Sequence, residues 1–228
     1  MKNYDIILFD VDDTLFDFAK SEQQAFHKIF GKYNLSNSLK LYEKSYREIS
    51  NVLWRDLEGG KINLAELGSE RYRRLFLEYG LDIDGAVFNQ EYLSFLGEQV
   101  HLVEGVEQVI SHLSHKRLAI ITNGYTAVQT SRINNSPLNG LFEHLIISES
   151  TGFQKPQTGI FDVAFRKLQL TDKSNVLMVG DSLTSDIQGG MNYGIDTCWF
   201  NPKYQENNTS IKPTYEINTF ESLLEIVK

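Results

Sequence analysis

The stretch ILFDVDDTLFD, Ile7–Asp17, places three carboxylates, Asp10, Asp12 and Asp13, at the end of an apolar run. The run itself, Ile6-Ile7-Leu8-Phe9, has the continuous apolar character of a strand covered on both faces. Carboxylates this close repel one another, and none has an obvious basic partner nearby in sequence. A strand that ends in such a group therefore needs a cation from elsewhere.

Working outward, four more apolar runs read as strands: Leu118–Thr122, His144–Ile147, Val176–Val179 and Thr197–Phe200. Helical patterns fall at Val106–Ser114, Ala127–Ile133, Gly159–Leu168 and Asp186–Tyr193, with a last one at Phe220–Val227. This alternation predicts an α/β fold with a doubly wound parallel sheet. The interval between the first two strands is too long for one crossover helix. Most of it has apolar residues at helical spacing, in Ser21–Phe30, Lys40–Leu57, Leu64–Tyr79 and Asn89–Leu96, with breakers at Gly31, Gly59-Gly60 and Gly80. We expect a helical insertion over 17–100, rooted after the first strand, and a core made of 1–16 and 101–228. The Pro- and Asn-rich piece 201–214 reads as a surface loop.

Composition bounds the partners. The chain has 228 residues, 41% hydrophobic and 23% charged, with a formal net charge of −8. Such an acidic chain is a poor match for a nucleic-acid backbone or an anionic membrane, but a locally positive site can still take a small anion. The single cysteine, Cys198, allows no internal disulfide and reads as a buried structural thiol. We expect no leader at the N-terminus, and no apolar stretch reaches membrane length. We expect a cytoplasmic protein, monomeric or homodimeric. The five histidines show no metal-ligand spacing.

Four features fall at four strand ends: Asp10-Val11-Asp12-Asp13-Thr14, Thr122-Asn123-Gly124, Gln154-Lys155-Pro156, and Gly180-Asp181 through Asp186. Ligands of open parallel sheets bind at that edge. Asp10, Asp181 and Asp186 supply hard oxygen ligands of the kind Mg²⁺ prefers. Lys155 and Thr122 suit the oxygens of a phosphoryl group, and Asn123 and Gly124 read as shaping the phosphate loop. A carboxylate can attack phosphorus, and a second acid must then manage the leaving group's proton. Asp10 and Asp12 have the i, i+2 spacing that shares a face in extended backbone. Asp13 and Asp17 read as solvated.

These four pieces, in this order, resemble the haloacid dehalogenase superfamily. The match is Asp-x-Asp-x-Thr at 10–14, the strand ending in Thr122, Lys155-Pro156, and Gly-Asp-x-x-x-x-Asp at 180–186. The resemblance implies a Rossmann-like core with an all-helical cap, Mg²⁺ dependence and an aspartyl-phosphate intermediate. Asp10 would be the nucleophile and Asp12 the general acid/base. Thr122, Asn123 and Lys155 would bind phosphate. Asp10, the backbone carbonyl of Asp12, Asp181 and Asp186 would serve the metal. One departure is Asp13, where many members carry Gly. The run through Phe18 and the stretch Leu53–Ile62 also resemble bacterial 5′-nucleotidases acting on pyrimidine nucleoside monophosphates. The leading expectation is thus a phosphomonoester hydrolase on a small phosphorylated substrate, with the cap closing over it. A phosphosugar phosphatase or phosphomutase of the same superfamily shares these core motifs. A 2-haloacid dehalogenase would need neither Mg²⁺ nor Asp12, and a non-catalytic domain would not need the full set.

Overall fold

A computed structural model describes residues 2–227. It contains two compact units: the chain up to Phe18 together with the chain from Val100 onward, and Ala19–Gln99. In chain order the elements are β1 (Ile6–Phe9), α1 (Phe18–Lys32), α2 (Leu39–Glu58), α3 (Leu64–Glu78), α4 (Gly85–Gly97), α5 (Val106–His112), β2 (Arg117–Thr122) and α6 (Thr126–Asn134). There follow β3 (His144–Ile147), α7 (Ser148–Thr151), α8 (Thr158–Lys167), β4 (Val176–Gly180), α9 (Gln188–Tyr193), β5 (Asp196–Phe200), β6 (Tyr215–Ile217) and α10 (Leu223–Ile226).

The sheet is parallel throughout, in the order β3-β2-β1-β4-β5-β6. This is the doubly wound, Rossmann-like arrangement expected from the sequence, with β1 central. Side chains alternate between its faces. Ile7 and Phe9 join one cluster with Leu118, Ile120, Leu177 and Val179, covered by Val106, Val109 and Ile110 of α5. Ile6 and Leu8 join the other with Ala119, Ile121 and Met178, covered by Ile160, Phe161 and Ala164 of α8. Burial on both faces is why these strands read as unbroken apolar runs.

Three expectations need correction. The chain after the 201–214 loop adds a sixth strand, β6, whose three residues include only one that is buried, Ile217. The helix expected to start at Asp186 is preceded by a π-turn over Leu183–Ile187. The closing helix is a 3₁₀ turn at Phe220–Ser222 followed by the short α10.

The second unit is four helices, α1–α4, with breaks at polar caps. Asn63 and Glu66 form a reciprocal capping box at the start of α3, and Asp84 caps α4. Its interior is aromatic: Phe26, Phe30, Tyr46, Tyr72, Phe76, Phe88 and Tyr92 are buried. Tyr46 therefore belongs to this core, and Trp54 packs beside Leu53, Leu57 and Leu67. Among the described residues no helix is long and apolar enough to cross a membrane.

The layer packing predicts unequal sensitivity to truncation. Leu8→Ala removes a fully buried side chain at the sheet centre and should cost about 2–5 kcal/mol. Met191→Ala, at a position 41% exposed, should change stability by no more than about 0.5 kcal/mol. Chemical denaturation followed by circular dichroism measures both; equal losses would contradict this account.

Candidate active site

The chain leaves β1 at Asp10, whose N–H still bonds to Val179 O at 2.9 Å, extending the ladder to β4. It then turns sharply. The N–H groups of Leu15 and Phe16 both donate to Val11 O, at 2.8 and 2.9 Å. Within this turn Asp13 has φ of 60°, the left-handed region in which glycine has no steric penalty. That explains why glycine suits this position. Asp13 is not solvated as the sequence suggested: it is half-buried, and its carboxylate accepts the N–H of Phe18, the first residue of α1, at 3.2 Å. Asp17 is half-buried as well.

Asp10 is 7% exposed. The ammonium of Lys155, itself 1% exposed, donates to Asp10 Oδ1 at 2.5 Å and to Ile121 O at 2.7 Å. It also lies 2.7 Å from Asp186 Oδ1. Asp10, Asp181 and Asp186 each offer a carboxylate oxygen, and the three atoms lie within 4.8 Å of one another. Burial pushes the Asp10 carboxyl up to about 7 against the pull of Lys155, and Asp186 and Asp12 push the same way as burial. Asp181 is driven well above the usual carboxylate range by burial, then by Asp186 and Asp10. Burial works against a charged Lys155, but Asp10 and Asp186 outweigh it and hold the ammonium above its ordinary pKa.

Three carboxylates thus face one ammonium. Asp186 Oδ1 is buried with no hydrogen bond of proper alignment among the described residues, despite its nearness to Lys155. Its other oxygen accepts the Ser182 N–H at 3.0 Å. A hard divalent cation fits this donor set, because it would take up the surplus negative charge and the unaligned oxygen.

Neighbouring residues hold Asp181 and Asp186 in place. Thr14 donates to Asp181 Oδ1 at 3.3 Å, and the Trp199 indole N–H donates to Asp181 O at 2.7 Å. Ser182 caps the π-turn by accepting the Ser185 N–H at 3.2 Å. Gly180 has a steric role: a Cβ there would lie 2.2 Å from Asp186 Oδ2. Only glycine lets that carboxylate lie over the end of β4.

Thr122 ends β2 and is buried. Asn123 turns its side chain toward Lys155. Its amide brackets the backbone of Lys155, donating to Lys155 O and accepting Lys155 N–H, both at 2.8 Å. It also reaches Ser185 Oγ at 3.3 Å. The side chain positions the lysine that the sequence put beside it.

Asp12 does not join the carboxylate cluster. One oxygen accepts from Arg132 Nη1, and the other accepts from Gln129 Nε2 at 2.7 Å. Both partners come from α6 and are buried. Arg132 also stacks over the Phe16 ring, with Cζ 4.5 Å from the centroid. Gln129 Nε2 lies 3.5 Å from Thr122 Oγ1, so one amide spans two predicted site residues. Sequence reasoning missed both. The available signal was two polar side chains at i, i+3, flanked by the apolar Val128 and Ile133.

Comparison with known proteins identifies the family. A family model described as haloacid dehalogenase-like hydrolase matches residues 4–194. The chain is 40% identical to the HAD-hydrolase YfnB of Bacillus subtilis, covering 100% of this chain and 97% of that one. A crystal structure of YfnB bound to magnesium matches with a TM-score of 0.92 over 100% of both chains. The pyrimidine 5′-nucleotidase PynA of Streptococcus pneumoniae is 37% identical over 97% of this chain and 94% of its own. The pyrimidine 5′-nucleotidase YjjG of Escherichia coli is 30% identical over 98% of both. With a family match over most of its length and full-length relatives at 30–40% identity, the chain belongs to the haloacid dehalogenase-like hydrolases.

Proposed function

We propose that this hydrolase is a Mg²⁺-dependent phosphatase that forms an aspartyl-phosphate on Asp10 and acts on pyrimidine nucleoside 5′-monophosphates. The observation that carries the reading is the convergence of Asp10, Asp181 and Asp186 around Lys155, with Asp12 two residues beyond the nucleophile. The nucleotide preference rests on the two full-length relatives named pyrimidine 5′-nucleotidase. In this reading the four-helix unit is the family's cap.

The chemistry follows from the side chains. An oxygen of Asp10 attacks phosphorus, and the bond from phosphorus to the nucleoside oxygen breaks. Asp12 gives its proton to that departing oxygen. The products are an acyl phosphate on Asp10 and the free nucleoside. Asp12, now a carboxylate, then takes a proton from water as the water oxygen bonds to phosphorus. The bond from phosphorus to Asp10 breaks, releasing inorganic phosphate and restoring Asp10. Lys155 and the Thr122 hydroxyl hold the phosphoryl oxygens through both halves, and Asn123 keeps the Lys155 backbone in place. Asp10, the Asp12 carbonyl, Asp181 and Asp186 would hold Mg²⁺, which supplies charge stabilisation to the phosphoryl oxygens and relief to the crowded carboxylates.

Phosphate release from uridine 5′-monophosphate, a hexose phosphate and a small phosphoester tests the reading. Activity should vanish with a chelator and return with Mg²⁺. Asp10→Asn should lower the rate by more than about 10³-fold; full activity in that variant rejects Asp10 as nucleophile. Isomerised sugar phosphate without free phosphate would replace the hydrolase reading with a mutase. Preference for the hexose phosphate would reject only the nucleotide assignment.

A second expectation concerns Gly180. In Gly180→Ala the new methyl displaces the Asp186 carboxylate, so the Mg²⁺ concentration for half-maximal activity should rise about 10-fold or more. The nucleotide KM at saturating Mg²⁺ should barely move. An unchanged Mg²⁺ requirement would show that Asp186 does not serve the metal.

A further inference from the structure

We infer that Gln129 and Arg132 of α6 are positioning residues that aim the carboxylate of Asp12 at the leaving group. The inference rests on the phosphatase reading of the same site. Nothing in the motifs points to either residue; the geometry does.

Asp12 lies in the turn beyond β1, where the backbone no longer fixes a side chain to one sheet face. Its side chain is 28% exposed, and a carboxylate in such a place would ordinarily sample several rotamers. Here both oxygens are held. Arg132 Nη1 bonds to one and Gln129 Nε2 to the other. The two donors are themselves joined, Arg132 Nη1 donating to Gln129 Oε1 at 3.2 Å. Arg132 is braced against the Phe16 ring, and Gln129 reaches toward Thr122 Oγ1. The result is a triangular clamp with its base on a buried helix face. Each bond occupies one lone pair of a carboxylate oxygen and leaves another for the transferred proton.

The clamp also links the two ends of the reaction. Gln129 spans from Asp12, which handles the leaving group, to Thr122, which holds the phosphoryl group. Room for it exists because residue 124 is glycine: a Cβ there would lie 2.6 Å from Gln129 Nε2. A displacement of the amide would therefore disturb the direction of proton transfer more than the binding of phosphate, which Lys155 also supports. Loss of general acid catalysis typically costs about 10²–10⁴-fold.

Leaving-group dependence tests this directly. A nucleoside or alkyl oxygen must be protonated as it departs, whereas nitrophenolate leaves without a proton. The measurement is kcat/KM, which reports the steps through formation of the acyl phosphate, for uridine 5′-monophosphate and for p-nitrophenyl phosphate. It is made on the wild type, Arg132→Met, Arg132→Lys and Gln129→Leu. For Arg132→Met and Gln129→Leu, the expected loss on the nucleotide is about 10²-fold or more, with a much smaller loss on the nitrophenyl ester. Arg132→Lys should recover part of the nucleotide activity. Equal losses on both esters, or no loss on either, would overturn the inference.

A crystal structure of the folded variants supplies the second readout, independent of turnover. In Gln129→Leu or Arg132→Met the Asp12 carboxylate should leave its present rotamer. An unmoved carboxylate in both would overturn the clamp even if activity fell. Failure of the phosphatase reading shows elsewhere, as no phosphate release from either ester by the wild type with Mg²⁺, and is thereby distinguishable.

Discussion

The site depends on one buried charge arrangement: the Lys155 ammonium set between the carboxylates of Asp10 and Asp186, at 2.5 and 2.7 Å. All three groups are almost fully removed from water. A buried charge without a partner is strongly unfavourable, and removing one member of such a pair typically costs about 3–5 kcal/mol. The three side chains come from the end of β1, the segment before α8 and the turn after β4. None of these loops can shift alone without stranding a charge in the others. The ion pairs therefore tie separate strand ends into one rigid edge, and the excess of carboxylate over ammonium gives that edge a donor set that fits a cation. Stability and chemistry draw on the same groups.

Such crowding requires space, and glycine provides it. At Gly180 any side chain would overlap Asp186, and at Gly124 it would overlap Gln129. Neither glycine has the positive φ that marks a turn glycine. Their role is close approach, which lets one polar side chain lie over backbone at β4 and another at the start of α6. The Gly-Asp motif thus carries two different constraints: the aspartate brings one carboxylate of the cluster, and the glycine leaves room for a second from six residues later.

Much of this was legible in the sequence, for identifiable reasons. Strands β1, β2, β4 and β5 announce themselves because both faces are buried, and the motif pieces follow strand ends. β6 escaped because an edge strand with one buried residue has no apolar run to read. Asp13 read as a bystander because a left-handed φ and a cap to Phe18 leave no mark on a single sequence. Asn123 was placed beside Lys155, but nothing in the sequence shows that its amide holds that residue's backbone. Arg132 and Gln129 were invisible for a deeper reason. Their significance comes from Asp12, more than a hundred residues earlier, and no local period encodes so distant a pairing.

Register is what brings distant residues together. Phe9 pairs with Ile120 on one side of β1 and with Val179 on the other. This alignment sends Ile7 and Phe9 into one core layer and Leu8 into the opposite layer, against α8. Asp10 continues the face of Leu8, where the segment leading into α8 delivers Lys155. Had Asp12 stayed in extended backbone it would have shared that face and joined the same cluster. The turn closed on Val11 O prevents this and lets Asp12 find α6 instead. A one-residue slip of β1 would turn Asp10 toward the wrong layer and place Phe9 among the charges. The apolar residues of β1 are thus as necessary to the site as its carboxylates, because they fix the face on which Asp10 emerges and leave Asp12 free to take a different partner.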